Sequence, residues 1–405
     1  MQNIEKQKIR RVLYIDHTAE IGGGEIALLN LVRNIDSRKV APIVLLFADG
    51  PLVERIRPYA ETHVLKLESR VAKIGKDSLG WKSLLKFRSA WATIRHVFMV
   101  TRFAKCAQIE IVHTNSLKSD VIGGIAGRFA GIPVIWHVRD RIETDYLPLP
   151  VVKVFRFLCR TVPNFVIANS TATLGTLHLM GKRTGLAIAS GIDTAVFTHV
   201  VHDGCEIDGR IPKDSTKEKE ICVGLIGRIS PWKGQHIFIE AASLLHTEFP
   251  SVKFQIIGAP LFAEREYEQQ LHELCERLGV VEAVEFVGFV EDVSRRIAQL
   301  DIVVHASTSG EPFGQVIIEG MAEQKPVVAT NGGGVPEIVE DGVTGLLVPM
   351  GDAIAMANAI DFLLRNPLIA KEMGARGRER ALSQFAIQIT ARKVEAVYDH
   401  VLGVA

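Results

Sequence analysis

The chain has 405 residues, more than one ordinary core accommodates, and its length suits two domains of roughly 200 residues each. With 47% apolar and 23% charged residues it is globular in composition, and a net charge of +1 removes any electrostatic case for nucleic acid as a partner. Its five cysteines, Cys106, Cys159, Cys205, Cys222 and Cys275, form no CxxC pair, which argues against zinc ribbons and disulfide frameworks and suits a reducing, cytoplasmic compartment.

The charged segment Met1–Arg11 runs straight into an apolar strand, so no signal peptide is expected. No uninterrupted apolar run reaches the roughly 18 residues of a membrane span; Val121–Val138 comes nearest and is broken by Arg128, several glycines and Pro133. Val12–Asp16 reads as a strand, then comes a glycine loop, then Glu25–Asn34 at helical period. Strands recur at Ala41–Phe47, Ile109–His113, Val134–Val138 and Phe165–Ala168, with helical stretches between them. This alternation predicts a doubly wound α/β domain with a parallel sheet. The pattern pauses over the polar stretch His199–Glu220 and resumes with strands at Ile221–Ile226, Val252–Ile257, Val284–Phe286, Ile302–His305, Val327–Ala329 and Gly345–Val348. The expected organisation is an N-terminal domain at 1–198, a linker at 199–220 and a second Rossmann-like domain at 221–385. A C-terminal helix at 386–405 can belong to either half or pack back on the first. Two such domains facing each other would place ligands in a cleft at the C-terminal edges of their strands.

Three segments carry candidate chemistry. Ile21-Gly22-Gly23-Gly24-Glu25 joins a strand to a helix, where glycines let an anion approach backbone amides; a plain flexible turn is the other reading. Gly227-Arg228-Ile229-Ser230-Pro231-Trp232-Lys233-Gly234 again joins strand to helix, and Arg228 with Lys233 could grip a phosphate or simply be solvated surface cations. The loop is not a Walker A sequence, and the first loop lacks the GxGxxG spacing of dinucleotide cofactors. Glu311-Pro312-Phe313-Gly314-Gln315-Val316-Ile317-Ile318-Glu319 places one carboxylate on a strand-to-helix loop and another about two turns into the helix, on roughly the same side. Ionised carboxylates accept hydrogen bonds from sugar hydroxyls, so cations at one end and carboxylates at the other would suit a nucleotide sugar.

Gly227-Arg228-x4-Lys233-Gly234, Val287-Gly288-Phe289, Glu-x7-Glu at 311 and 319, Asn331–Val339 and Asp341–Val348 occur in the order found in the retaining glycosyltransferases of family 4, which the chain resembles over nearly its whole length. Gly22-Gly23 and Ser190-Gly191-Ile192-Asp193 resemble that family's N-terminal elements. The resemblance implies the GT-B fold, with two Rossmann-like domains. It implies that Glu311 lies beside the donor sugar and that Phe313, Gly314, Gln315 and Val316 form the loop whose amides reach sugar and phosphate. Glu319 would hold the ribose hydroxyls. Arg228 and Lys233, with Gly227 and Gly23, would meet the diphosphate, and the Phe289 backbone the base. The sequence departs from the family twice. Arg139 stands where a histidine before Asp is usual near the acceptor, with His137 two residues earlier on the same strand face, so either can face the reacting centre. Ser190 replaces the usual Asn before Gly-Ile-Asp, a change given little mechanistic weight.

The implied reaction moves a hexose from a nucleoside diphosphate, UDP-glucose or a related UDP-hexose first, to a hydroxyl of a glycan or lipid-linked acceptor, with retention. No DxD sequence occurs, so no cofactor and no metal clamp are expected. Front-face attack is preferred over a covalent adduct on Glu311. Alternatives are a sugar-nucleotide 2-epimerase of the same fold, a non-catalytic nucleotide-sugar-binding subunit, and an oxidoreductase, the last disfavoured by the glycine spacing. Between Ser69 and Lys105, basic residues interleave with Trp81, Leu84, Phe87, Trp91 and Phe98, and Tyr146–Arg160 adds a second such stretch. These read either as a surface peripheral to the inner face of an anionic plasma membrane or, slightly preferred, as amphipathic helices packed on the sheet with a solvated basic rim.

Overall fold

The computed structural model describes residues 9–67, 86–179, 184–197, 220–260 and 264–404. Of the sequence expectations, the linker at 199–220 lies outside them except for Glu220, as do residues 69–85 of the basic-aromatic stretch and the side chains of 86–90. Two compact units result: Met1–Gly191 with Ile387–Ala405, and Ile192–Ala386.

In the first unit, strands β1 (Arg10–Asp16), β2 (Val40–Leu46), β3 (Glu61–Val64), β4 (Ile111–Thr114), β5 (Val134–Val138), β6 (Phe165–Ala168) and β7 (Gly185–Ala187) form one parallel sheet in the order β3-β2-β1-β4-β5-β6-β7. The helices α1 (Gly23–Asn34), α2 (Pro51–Ile56), α3 (Lys86–Cys106), α4 (Leu117–Ala130), α5 (Leu149–Thr161) and α6 (Thr171–Thr176) connect them. The central strands are apolar on both faces because both are covered. Strand alternation sends Val12 and Tyr14 into one core cluster and Leu13 and Ile15 into the other. Strand order reverses between β1 and β4, the place where doubly wound sheets open a crevice at their carboxyl ends. There α4 begins with a reciprocal cap. Ser116 N–H donates to Ser119 Oγ at 2.9 Å, and Ser119 Oγ donates back to Ser116 O at 2.8 Å.

In the second unit, β8 (Ile221–Ile226), β9 (Val252–Ile257), β10 (Val284–Gly288), β11 (Ile302–His305), β12 (Val327–Thr330) and β13 (Leu346–Val348) form a parallel sheet ordered β10-β9-β8-β11-β12-β13. A 3-10 turn at Pro231–Lys233 precedes α7 (Gln235–Leu245), and α8 (Arg265–Leu278), α9 (Val293–Ala298), α10 (Gln315–Ala322), α11 (Val335–Ile338), α12 (Ala353–Arg365) and α13 (Pro367–Gln384) follow. The order again reverses, between β8 and β11, and these strands lead into the Arg228–Lys233 loop and the Glu311 loop. Two Rossmann-like parallel-sheet domains therefore make up the chain.

The last helix, α14 (Ile387–Leu402), returns to the first unit. Its buried Ala391, Val394, Val397 and Tyr398 join the cluster built on Val12, Tyr14 and Val40. Val394 alone, fully buried, contributes roughly 1.5 kcal/mol. Glu395 fixes the register of this helix by accepting from the Asp36 N–H at 2.9 Å and pairing with Lys39 at 3.4 Å. An Arg10–Asp399 ion pair adds a second tie.

Candidate active site

The second unit builds a carboxylate cage where β11 ends. Glu311 is buried and its Oε2 takes three contacts: Lys233 Nζ at 2.8 Å, Ser307 Oγ at 2.9 Å and His305 Nε2 at 3.2 Å. Behind them, Thr330 Oγ1 lies 3.2 Å from His305 Nδ1 and donates to Ser307 O at 2.9 Å. Burial opposes the Glu311 charge. The Lys233 ammonium and the His305 hydrogen bond outweigh it and hold the carboxyl well below its ordinary range. Glu311 is therefore an anion at any physiological pH, and among the described residues none hydrogen-bonds its Oε1.

Two close backbone approaches place this pair. Gly234 has φ +72°, and a Cβ there would sit 1.9 Å from Ala306 O. The loop carrying Lys233 thus rests directly on the residue after β11, and the Thr308 N–H donates to Trp232 O at 2.9 Å. Gly333 has φ +62°, and a Cβ there would lie 1.9 Å from Glu311 O. Neither position admits another residue without moving the site. The Lys233 ammonium also lies 4.1 Å from the Trp232 ring centroid, which narrows its freedom further.

The remaining candidates of this unit take other places. Gly227 follows β8, with its N–H donating to Ile257 O at 2.9 Å. Arg228 pairs with Glu264 at 3.3 Å, while Lys233 is bound to the Glu311 carboxylate. Glu319 is corrected in depth, since α10 begins at Gln315 and the residue lies little more than one turn in. It is half-buried, and burial pushes its carboxyl up to about 7. Gln315 leans toward it and eases that shift slightly without closing a hydrogen bond of good geometry. Gly314 caps α10 with φ +112°, Val316 is half-buried in its first turn, and Phe313 packs inward on Phe385 with ring centroids 6.2 Å apart. Phe289 is 67% exposed at the end of β10.

The first unit gathers a second polar cluster at its own switch point. Asp16, ending β1, is fully buried and accepts from Asn115 Nδ2 at 2.6 Å and Ser116 Oγ at 2.9 Å, with His17 Nδ1 at 3.3 Å. Burial works against its charge, but His17, Asn115 and Ser116 keep its carboxyl below the usual range. Asn115 Nδ2 also donates to Gly24 O at 3.0 Å, so one amide ties β1, β4 and the start of α1 together. Gly22 is the N-cap of α1 and Gly23 is exposed, with room for a Cβ. Sequence reasoning left out Glu25. Its carboxylate lies against Gly22 at this helix start, and burial together with Asp16 pushes it up to about 7.

Arg139 joins the same cluster. Its Nε donates to Asn115 Oδ1 at 2.7 Å, its Nη1 to Ser190 Oγ at 2.8 Å, and its Nη2 lies 3.4 Å from His137 Nδ1. The two departures from the family pattern, Arg139 and Ser190, are thus bonded to each other, which gives Ser190 a role the sequence had not suggested. Burial lowers Arg139 to about 10, offset by Asp16 and Glu25, so it remains a cation. His137 is fully buried inside the sheet beside His113 and is kept neutral by burial and by Arg139. Among the described residues no group of three or more His, Cys, Asp or Glu side chains gathers as a metal site.

Two family models tile the chain: Glycosyltransferase Family 4 over residues 21–196 and Glycosyl transferases group 1 over residues 208–380. The chain belongs to the family 4 glycosyltransferases. Among its relatives in this family, EpsD of Bacillus subtilis is 35% identical over 222 residues, 55% of this chain and 56% of EpsD, so this chain spans little more than half of that relative. The capsular polysaccharide biosynthesis glycosyltransferase CapM of Staphylococcus aureus is 24% identical over 98% of both chains. The crystal structure of Anabaena HepE in complex with UDP and glucose superposes with a TM-score of 0.79 at 26% identity, covering 96% of this chain and 99% of that one. The fold is GT-B.

Proposed function

We propose that the chain transfers a hexose from a UDP-sugar, UDP-glucose being the first to test, to a hydroxyl of a glycan or lipid-linked acceptor in polysaccharide or glycoconjugate assembly, with retention at the anomeric carbon. The caged Lys233–Glu311 pair carries this reading: the Lys233 ammonium donates to Oε2 of the Glu311 carboxylate at 2.8 Å, beside the start of α10. The likeness to a HepE structure holding UDP and glucose supports the choice of donor. In the proposed reaction the bond from the anomeric carbon to the diphosphate oxygen breaks as the acceptor oxygen bonds from the same face. Lys233 and the amides at the start of α10 would take up the charge that grows on the leaving diphosphate, with Arg228 free to turn from Glu264 toward it. Glu311 would accept from sugar hydroxyls and oppose positive charge on the ring. The acceptor proton would pass to a departing phosphate oxygen.

A thermal-shift screen over UDP, GDP and ADP sugars is the direct test, because a ligand bound only by the folded state raises Tm by mass action. UDP-glucose or a related UDP-hexose should give the largest rise. Absence of any rise with UDP sugars would defeat the donor assignment. Incubation of the same donor with and without acceptor separates transfer from epimerisation, and NMR of the product's anomeric proton checks retention.

Metal independence is part of the proposal, since Lys233 and Arg228 supply the charge that a bound divalent ion otherwise provides. Turnover in excess EDTA should equal that in buffer. Loss of turnover that Mg²⁺ or Mn²⁺ restores would replace this view with a metal-assisted one.

We also place the protein in the cytoplasm, peripheral to the inner face of the plasma membrane. No single described helix is long and apolar enough to cross a membrane. Helix α3 buries Ala92, Val97, Val100 and Ala104 but leaves Trp91 69% and Phe98 62% exposed, with Arg95 and Arg102 beside them. Phe98 stacks on exposed Phe129 of α4 at 6.4 Å, and α5 exposes Phe157 next to Lys153 and Val154. Helix α3 thus has an apolar packed face and a basic-aromatic exposed one. Aromatic and basic side chains together suit the headgroup region of an anionic bilayer. The protein should float with vesicles containing anionic lipid at low salt and detach as salt rises; no flotation at low salt would remove the membrane assignment.

A further inference from the structure

Arg139 is anchored through three of its five N–H groups, and the third anchor is an imidazole nitrogen. A guanidinium only donates, so the contact with His137 Nδ1 requires a lone pair on that atom. His113 Nε2 lies 3.1 Å from the same atom and must then carry a proton. His113 is fully buried, and burial with Arg139 nearby pushes it down to about 3, so it is neutral and its Nδ1 is bare. That nitrogen lies 2.7 Å from the Tyr398 hydroxyl, which must be its donor. The Tyr14 hydroxyl, 2.8 Å from that of Tyr398, completes the series. The geometry of that last pair favours Tyr398 as donor, whereas this assignment commits the Tyr398 proton to His113 and makes Tyr14 the donor. The reverse assignment would put a proton on His137 Nδ1, facing the Arg139 donor. All four side chains are fully buried, so water does not offer an easy substitute at any link.

We propose that His137 is a positioning residue for Arg139, held as an acceptor at Nδ1 by a chain of donors, Tyr14, Tyr398 and His113, that runs in from the C-terminal helix. One consequence is a cost that the Nδ1 side must outweigh. His137 Nε2 must then be an N–H, and it is buried with no hydrogen-bond partner, so nothing on its own side selects that tautomer. The selection comes from the Nδ1 side. Arg139 keeps two N–H groups beyond these anchors, and its stem passes the start of α1, with Cδ 3.5 Å from the Cβ position of Gly24. On the transferase reading above, those groups would meet an anionic oxygen of a ligand, and the relay fixes their direction in advance.

The relay is tested without any ligand by ¹⁵N NMR of the full chain labelled at histidine, with His113 and His137 assigned from variants lacking each. Both should be neutral Nε2–H tautomers at neutral pH, and Tyr398→Phe should shift the ring nitrogens of both. A His137 protonated at Nδ1, or His137 signals unmoved by Tyr398→Phe, would overturn the proposal. The kinetic arm rests on the UDP-sugar reading. With UDP-glucose, His137→Leu should lower kcat roughly tenfold or more. His137→Asn, whose amide oxygen can replace Nδ1, should recover most of it at matched Tm. Equal losses in the two variants would reduce His137 to a packing role. If the wild type turns over no UDP-sugar, the donor reading falls while the NMR result still decides the relay.

Discussion

Replacing Lys233 by alanine should lower sugar transfer by about 10²–10³-fold, the size seen when one preorganised group opposite developing charge is removed. The same change strands Glu311, a buried carboxylate, with only Ser307 and His305 as neighbours on Oε2. Breaking a fully buried pair costs more, but the Lys233 side chain is 20% exposed, so a loss of about 1–3 kcal/mol is expected. The pH dependence follows from the sign of the shift. Glu311 has a depressed carboxyl in the folded state, so its stabilisation is present above the unfolded value near 4.5 and is lost as pH falls toward the folded one. Lys233→Ala weakens that depression, so its Tm deficit should be largest at neutral pH and shrink in acid. Lys233→Met with Glu311→Gln removes both charges and should regain stability without regaining turnover. Wild-type rates in Lys233→Ala would end the active-site assignment.

Glu319→Gln should do the opposite to stability. Burial raises this carboxyl from 4.5 to about 7, so the folded state prefers the neutral form. The stabilisation from that protonated form is complete below about 4.5 and is lost as pH rises through about 7. At about 1.4 kcal/mol per pH unit the ceiling is about 3.5 kcal/mol, and residual solvent access at this half-buried site brings the expectation to about 1–2 kcal/mol. Glutamine, neutral at every pH, should therefore raise Tm at pH 8 and leave it nearly unchanged at pH 5. Binding moves the other way. Ribose hydroxyls donate to a carboxylate more strongly than to an amide, so donor affinity should fall roughly tenfold. Donor binding to the wild type should release a proton near pH 7, readable as a buffer-dependent heat in calorimetry. A Tm difference independent of pH would refute the protonated resting state.

The second unit was legible in unusual detail because its chemistry is spelled along the chain. Gly227, Lys233, Gly234 and Glu311 lie in short connections between an apolar strand and the helix after it, Glu319 lies about a turn into such a helix, and local order alone ties each to a strand end. The cage behind Glu311 was not legible. His305, Ser307 and Thr330 come from β11, its following loop and β12, and only pairing of the strands makes them neighbours. A signal existed in the histidine closing the apolar run Ile302–His305, and in Asp16 closing Val12–Asp16, since strand ends at a switch point are where ligands sit. Strands β3 and β7 were missed for a different reason. They are sheet edges of only four and three residues; β3, Glu-Thr-His-Val, has no apolar run, and β7 offers only the short Leu186–Ala189 run. Arg139 and Ser190 stood in the sequence as two unrelated oddities 51 residues apart, and only geometry shows that one holds the other.

The return of α14 to the first unit sets an order of assembly. Residues Ile192–Ala386 form a contiguous unit whose whole core is translated before Ile387 is added. The first unit, although translated earlier, waits for Val394, Val397 and Tyr398 to cover Val12 and Tyr14. Vectorial synthesis ordinarily lets the N-terminal domain finish first. Here the sheet that emerges first is sealed last, so during every round of translation its apolar face stays open to chaperones or to a neighbouring nascent chain until the final turns of helix arrive.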